Sequence, residues 1–147
     1  MAVALLQSLG VNEVQGKSGL VSVNDLLKDT TAIGLYFSAH WCPPCRGFTP
    51  VLGDLYKKLK ANGQSIEIIF ISSDRDQASC DDYYKEMPWH VVPFSNRSAK
   101  EKMAEKYGVR GIPTLIILDQ NGEIKDKNAR DTAARNADTN VLPAAWK

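Results

Sequence analysis

The chain predicts an α/β fold, a central mixed β-sheet flanked by helices with an N-terminal β-hairpin extension. Two continuous apolar runs, Ile33 to Phe37 and Ile66 to Ile71, alternate with helical patterns, as expected of strands buried on both faces. A later run, Thr114 to Leu118, meets Gln120-Asn121-Gly122 and a returning segment, so the strand order ends in an antiparallel hairpin. Between the first run and the first long helical pattern stands Cys42-Pro43-Pro44-Cys45, and open α/β sheets place their sites beyond such strand ends.

Taken in order, Gly10 to Val23 carries glycines between short apolar alternations, which predicts a hairpin or an extended arm. Asn24 is positioned to cap a short helix over Asp25 to Lys28. Ile33 to Phe37 is the first buried strand. The helix after the cysteines presents Phe48, Val51, Leu52, Leu55, Tyr56 and Leu59 at three- and four-residue intervals, is kinked at Pro50, and stops at Asn62-Gly63. Ile66 to Ile71 forms the second strand, and Asp76 to Glu86 has helical character. Pro88 to Phe94 is an irregular connection with a short extended piece at His90 to Val92. A basic helix over Ala99 to Tyr107 ends at Gly108, a C-cap glycine. After the hairpin, the chain beyond Asp126 is polar and alanine-rich; a short helix fits there, and the last ten residues are expected to be loose.

The two cysteines lie three positions apart at a strand-to-helix junction, which brings their sulfurs within bonding reach. Cys42 precedes the helix and faces its unpaired N–H groups and positive dipole end, both of which stabilise a thiolate. Cys42 is therefore the expected nucleophile and Cys45, one turn in, the resolving thiol. Pro43 and Pro44 suit the first helical turn and stiffen the loop. Structural zinc would need further ligands at suitable spacing, and Cys80, His40 and His90 do not supply it; no metal and no bound cofactor is expected.

With 147 residues and 44% hydrophobic content, the chain has one domain's worth of core. Eighteen Lys and Arg against seventeen Asp and Glu leave a net charge of +1, which gives no field for nucleic acid or an anionic membrane. No apolar run is long enough to span a bilayer. The opening MAVALLQSL lacks a basic flank and a cleavage pattern, so a cleaved leader is not expected. Three cysteines are a sparse, odd set that suits a reducing compartment.

Trp41-Cys42-Pro43-Pro44-Cys45 resembles the redox motif of the thioredoxin superfamily, and within it the tryparedoxin and nucleoredoxin branch. Pro50, Gly111-Ile112-Pro113-Thr114, Met87-Pro88-Trp89 and Val92-Pro93-Phe94 match further segments of that branch, and the likeness covers residues 21–130. The resemblance implies a thioredoxin fold and a cis bond before Pro113. That bond would set the Ile112 backbone beside the sulfurs, where it could pair with an extended substrate. It implies that Trp41 is a partly exposed platform for a partner, against the plainer reading of a core residue. Tyr36 departs from thioredoxins, which carry a buried aspartate there. Asp74, at the end of the neighbouring strand, is the candidate proton acceptor in its place, against the plainer reading of a turn or N-cap aspartate. Arg130 falls where tryparedoxins use an arginine for their glutathione-derived substrate. Asn128 replaces the other arginine of that pattern, which weakens any claim to that specialised substrate and leaves a surface charge as the alternative.

The expected function is thiol–disulfide exchange that reduces protein disulfides, in redox regulation or peroxide defence, in the cytoplasm and also the nucleus. Implied partners are disulfide-containing clients of peroxiredoxin or signalling type and an upstream thiol reductant, without direct nucleic-acid or membrane binding. The alternatives are a redox-gated binding adaptor and, behind it, a disulfide isomerase. Cys80, followed by two aspartates, reads as a quiet helix thiol.

Overall fold

The computed structural model describes residues 2–147. A short helix α1 (Ala2–Ser8) leads into a hairpin of β1 (Glu13–Gly16) and β2 (Gly19–Ser22), followed by α2 (Val23–Leu27), β3 (Ala32–Ser38) and the long α3 (Pro43–Ala61). Then come β4 (Ile66–Ser72), α4 (Gln77–Tyr84), a two-residue β5 (His90–Val91), α5 (Arg97–Lys106), β6 (Thr114–Leu118), β7 (Ile124–Asp126) and α6 (Ala129–Arg135), with a last 3-10 turn at Ala144–Trp146. The strands form one mixed sheet in the order β2-β1-β5-β4-β3-β6-β7. β3 runs parallel to β4 and antiparallel to β6, and every residue of β3 and β4 is buried.

Strand alternation sorts these side chains onto two faces. Tyr36, Ile66, Ile68 and Phe70 point toward α3, α4 and α6, where they meet Leu52, Leu55, Leu59, Tyr83 and Ala133. Ile33, Leu35, Phe37, Ile69 and Ile71 point the other way, to Leu6, Val23, Leu27 and Met103 of α1, α2 and α5. Apolar residues at both parities are thus needed, which is why β3 and β4 read as unbroken apolar runs.

Local signals that were clear in sequence became element ends. Gly63 (φ +70°) and Gly108 (φ +65°) follow α3 and α5 in the left-handed region, and Val109 N–H closes on the Ala104 carbonyl at 2.8 Å. Two expected boundaries are corrected. The cap of α2 is Ser22, whose Oγ accepts the Asp25 N–H at 3.0 Å, and not Asn24; the helix starts earlier because Val23 is fully buried under the hairpin. Likewise α5 begins at Arg97, capped by Asn96, whose Oδ1 accepts the Ala99 N–H at 3.3 Å.

The last ten residues, expected to be loose, are anchored. Trp146 is 0% exposed, its Nε1 donates to Asp126 Oδ2 at 2.9 Å, and Leu142 joins the same core. The tryptophan fills space beside α6 and β7 that the polar sequence around it does not advertise. At the other end, α1 sits on the β6–β7 turn, where Ala2 N–H donates to the Gln120 carbonyl at 2.6 Å. A side chain at Gly122, which has φ +84°, would press to 2.7 Å from Leu5. No helix among the described residues is long and apolar enough to cross a membrane.

Candidate active site

Strand β3 ends at Ser38, and a four-residue turn delivers Cys42 as the N-cap of α3 (φ −92°, ψ 111°), with Pro43 and Pro44 opening the helix. Cys42 and Cys45 are joined as a disulfide with their Cα atoms 5.2 Å apart. Cys42 Sγ lies 3.4 Å from the Cys45 N–H, one of the unpaired donors of the first turn. Cys42 keeps 5% exposure while Cys45 has none. The two cysteines are therefore unequal: Cys42 keeps a small opening to solvent beside the helix-start N–H groups, and Cys45 is fully enclosed.

The loop before β6 forms the opposite wall. Ile112-Pro113 is a cis peptide bond, and the Ile112 carbonyl oxygen lies 3.9 Å from Cys42 Sγ. Ile112 packs against Ala39 and the cysteine pair, leaving its backbone beside the sulfurs as expected. Pro113 is buried and shares a small cavity of about 210 Å3 with Arg130 and Lys127, so α6 does bring Arg130 to the proline loop.

Trp41 is 51% exposed, which excludes the core reading, and its Nε1 donates to the Ser73 carbonyl at 3.1 Å. This bond fixes the indole against the end of β4. Asp74 is 5% exposed and both of its oxygens are engaged: Oδ1 accepts the His40 N–H at 2.8 Å and Oδ2 accepts the Ser72 hydroxyl at 2.7 Å. The carboxylate thus ties the turn before Cys42 to β4.

Tyr36, at the position where thioredoxins bury an aspartate, begins a hydroxyl chain. Its OH pairs with Thr49 Oγ1 at 2.7 Å, Thr49 pairs with the Tyr83 OH at 2.5 Å, and Tyr83 pairs with Ser38 Oγ at 2.6 Å. Burial, then the neighbouring Tyr83, hold the Tyr36 phenol well above its ordinary range, so it stays neutral. Thr49 is one helical turn beyond Cys45 on the same side of α3. Above the chain, the His40 ring stacks on Tyr83 (5.1 Å, 7°), and its Nε2 lies 3.5 Å from Glu86. Sequence reasoning singled out Tyr36 but not Ser38, Thr49 or Tyr83, because hydroxyls spread over β3, α3 and α4 have no spacing that marks them as a set.

Cys80 is 2% exposed on α4, and burial pushes its thiol up, with Asp74 and Asp81 adding to the effect and Ser72 and Arg97 opposing it. It is a quiet thiol, in line with the reading from sequence. Two arginines that the sequence did not single out, Arg46 and Arg75, join His40, Trp41 and Asp74 around a cleft of about 340 Å3 beside the dithiol. Arg46 directly follows Cys45, a position that could have drawn attention to it.

The comparisons with known proteins agree with this geometry. A thioredoxin-like family model matches residues 30–124. Probable nucleoredoxin 1 of Arabidopsis thaliana is 49% identical over 137 residues, which is 92% of this chain and 23% of that protein. Human nucleoredoxin is 45% identical over 111 residues, 76% of this chain and 26% of its own. The chain thus spans about a quarter of the nucleoredoxins it matches. Tryparedoxin of Trypanosoma brucei brucei is 41% identical over 135 residues, covering 91% of this chain and 92% of that one. Among solved structures, native tryparedoxin I from Crithidia fasciculata superposes with a TM-score of 0.87 at 32% identity, covering 100% of this chain and 99% of the other. With a Cys42–Cys45 pair at the helix start and the cis-proline loop facing it, the chain belongs to the thioredoxin-like family and is similar to its nucleoredoxins and tryparedoxins.

Proposed function

We propose that this chain reduces disulfides in client proteins. The observation that carries the reading is the position of Cys42 Sγ, 3.4 Å from the Cys45 N–H and 3.9 Å from the Ile112 carbonyl oxygen, in the less enclosed cysteine of the pair. In the reduced protein the same helix start stabilises a Cys42 thiolate. That thiolate attacks one client sulfur, forms a Cys42–client mixed disulfide, and releases the other client sulfur as a thiolate that takes up a proton. Cys45, deprotonated, then attacks Cys42 Sγ, re-forms the Cys42–Cys45 disulfide and releases the second client thiol. Two electrons pass from the protein dithiol to the client, and an upstream thiol reductant restores the dithiol.

The client segment pairs with the Ile112 backbone as a short strand beside the cis-proline, with Trp41 and the exposed Pro43 and Pro44 as its apolar floor and Arg130 at its far side. Asp74 acts as a positioning residue. Both of its oxygens are already held, which favours this role over the proton acceptor expected from sequence. The clients are peroxiredoxin-like or signalling proteins of the cytoplasm and nucleus, a reading drawn from the nucleoredoxin and tryparedoxin relatives.

Trapping tests the mechanism. Cys45→Ser should accumulate mixed disulfides through Cys42 that dithiothreitol releases, and Cys42→Ser should abolish turnover. Normal turnover by Cys45→Ser would overturn the two-cysteine mechanism. If the Cys42→Ser, Cys45→Ser double variant kept full cellular function together with partner affinity, the chain would be an adaptor instead.

A further inference from the structure

The cleft beside Trp41 has an unequal distribution of hydrogen-bonding capacity. The indole is held edge-on by Ser73, and the Arg75 guanidinium stands 5.7 Å from its ring centroid. Arg46 reaches the same cleft from the first turn of α3, and both arginines are exposed. Neither guanidinium has a hydrogen-bond or ion-pair partner among the described residues.

The acids that line the cleft are already committed. Asp74 is nearly buried and spends its two oxygens on His40 and Ser72. Asp76 caps α4, with Oδ1 accepting the Ser79 N–H at 2.8 Å. Glu86, outside the cleft lining, faces His40 at 3.5 Å. The cleft therefore offers two planar cations with free donors next to an aromatic face. The group that satisfies both is a carboxylate, which a guanidinium binds in bidentate fashion. Because the formal charges of Arg46, Arg75, Asp74 and Asp76 cancel, attraction here is short-ranged and directional rather than a general basic field.

We propose that this cleft is a specificity subsite for an acidic residue, Asp or Glu, in the client segment that carries the disulfide, held by Arg75 and Arg46 over Trp41. The proposal rests on the protein-disulfide reading above. Trp41 directly precedes Cys42, so a carboxylate held there comes from the chain next to the attacked half-cystine. The subsite selects among clients by what flanks their disulfides and leaves the exchange chemistry to the cysteines.

The test uses two peptides, each with one internal disulfide, identical except that the residues flanking the half-cystine are Glu in one and Lys in the other. Single-turnover reduction by the pre-reduced protein should favour the Glu peptide by about tenfold, the order expected of two solvent-facing charge pairs. Arg75→Glu should bring that ratio to about one or below, and Arg46→Glu combined with it should reverse it. Because the ratio is taken within each variant, any change in dithiol reactivity cancels. Equal rates with wild type, or a ratio untouched by Arg75→Glu, would overturn the subsite while leaving the reductase reading in place. A second measurement separates the two in the other direction: the serine-for-cysteine forms of both peptides are titrated against the oxidised protein by fluorescence anisotropy. Tighter, Arg75-dependent binding of the Glu form without reduction of either disulfide peptide would uphold the subsite and sink the reductase reading.

Discussion

The Asp74 carboxylate accepts the backbone N–H of His40 at 2.8 Å, joining the end of β4 to the turn that delivers Cys42. The contact spans 34 positions in sequence, and Asp74 Oδ2 is in turn held by Ser72 at 2.7 Å. The turn is thereby fixed from a second strand and not only from its own.

Removal of this carboxylate should loosen the site. Asp74→Ala strands a buried hydroxyl and a backbone N–H, at a cost of about 1–3 kcal/mol in unfolding free energy. Asp74→Asn, which keeps one good acceptor, should cost less. Stopped-flow measurement should show attack and resolution both slowed in Asp74→Ala. Loss of the resolving step alone in Asp74→Asn would instead restore the proton-acceptor role.

Trp146 is the anchor of the C-terminal segment. Trp146→Ala removes a fully buried indole and its bond to Asp126, so urea denaturation should show a loss of about 3–5 kcal/mol. A change below about 1 kcal/mol would mean that the segment is loose after all.

His90 links stability to pH. Burial lowers its imidazole below the ordinary value of about 6.5, so as pH falls the unfolded chain takes up the proton first. Stability present above about pH 6.5 should therefore decline as the pH drops through the window below it. In His90→Gln the fall in unfolding free energy between about pH 7.5 and 5.5 should be smaller than in the wild type. Parallel curves for the two proteins would remove His90 as a source of the dependence.

The three thiols should differ sharply in reactivity. In the reduced protein, iodoacetamide at about pH 7 should label Cys42 first, with Cys80 unmodified until the chain unfolds. Peptide mapping by mass spectrometry checks the order, and early labelling of Cys80 would contradict its burial on the core side of α4.

Much of this molecule was legible in its residues, because the relevant signals are local. The unbroken runs of β3 and β4, the three- and four-residue apolar spacing of α3, the glycines that close helices, and Cys42-Pro43-Pro44-Cys45 at a strand-to-helix junction each depend on neighbours within a turn or two. They determined the α/β order, the dithiol and its unequal cysteines. What the tertiary structure decided depends on which distant segments meet. Trp146 looked loose because a lone aromatic in a polar tail has no periodicity, yet the space beside β7 and Asp126 receives it. Asp74 became a tie to the His40 turn, and Tyr36, Thr49, Tyr83 and Ser38 became one hydroxyl chain, because buried polar groups must find partners wherever the fold places them. Arg46 and Arg75 come to one cleft for the same reason in reverse: the acids nearest them are spent elsewhere, and only the folded chain shows which charges remain unpaired.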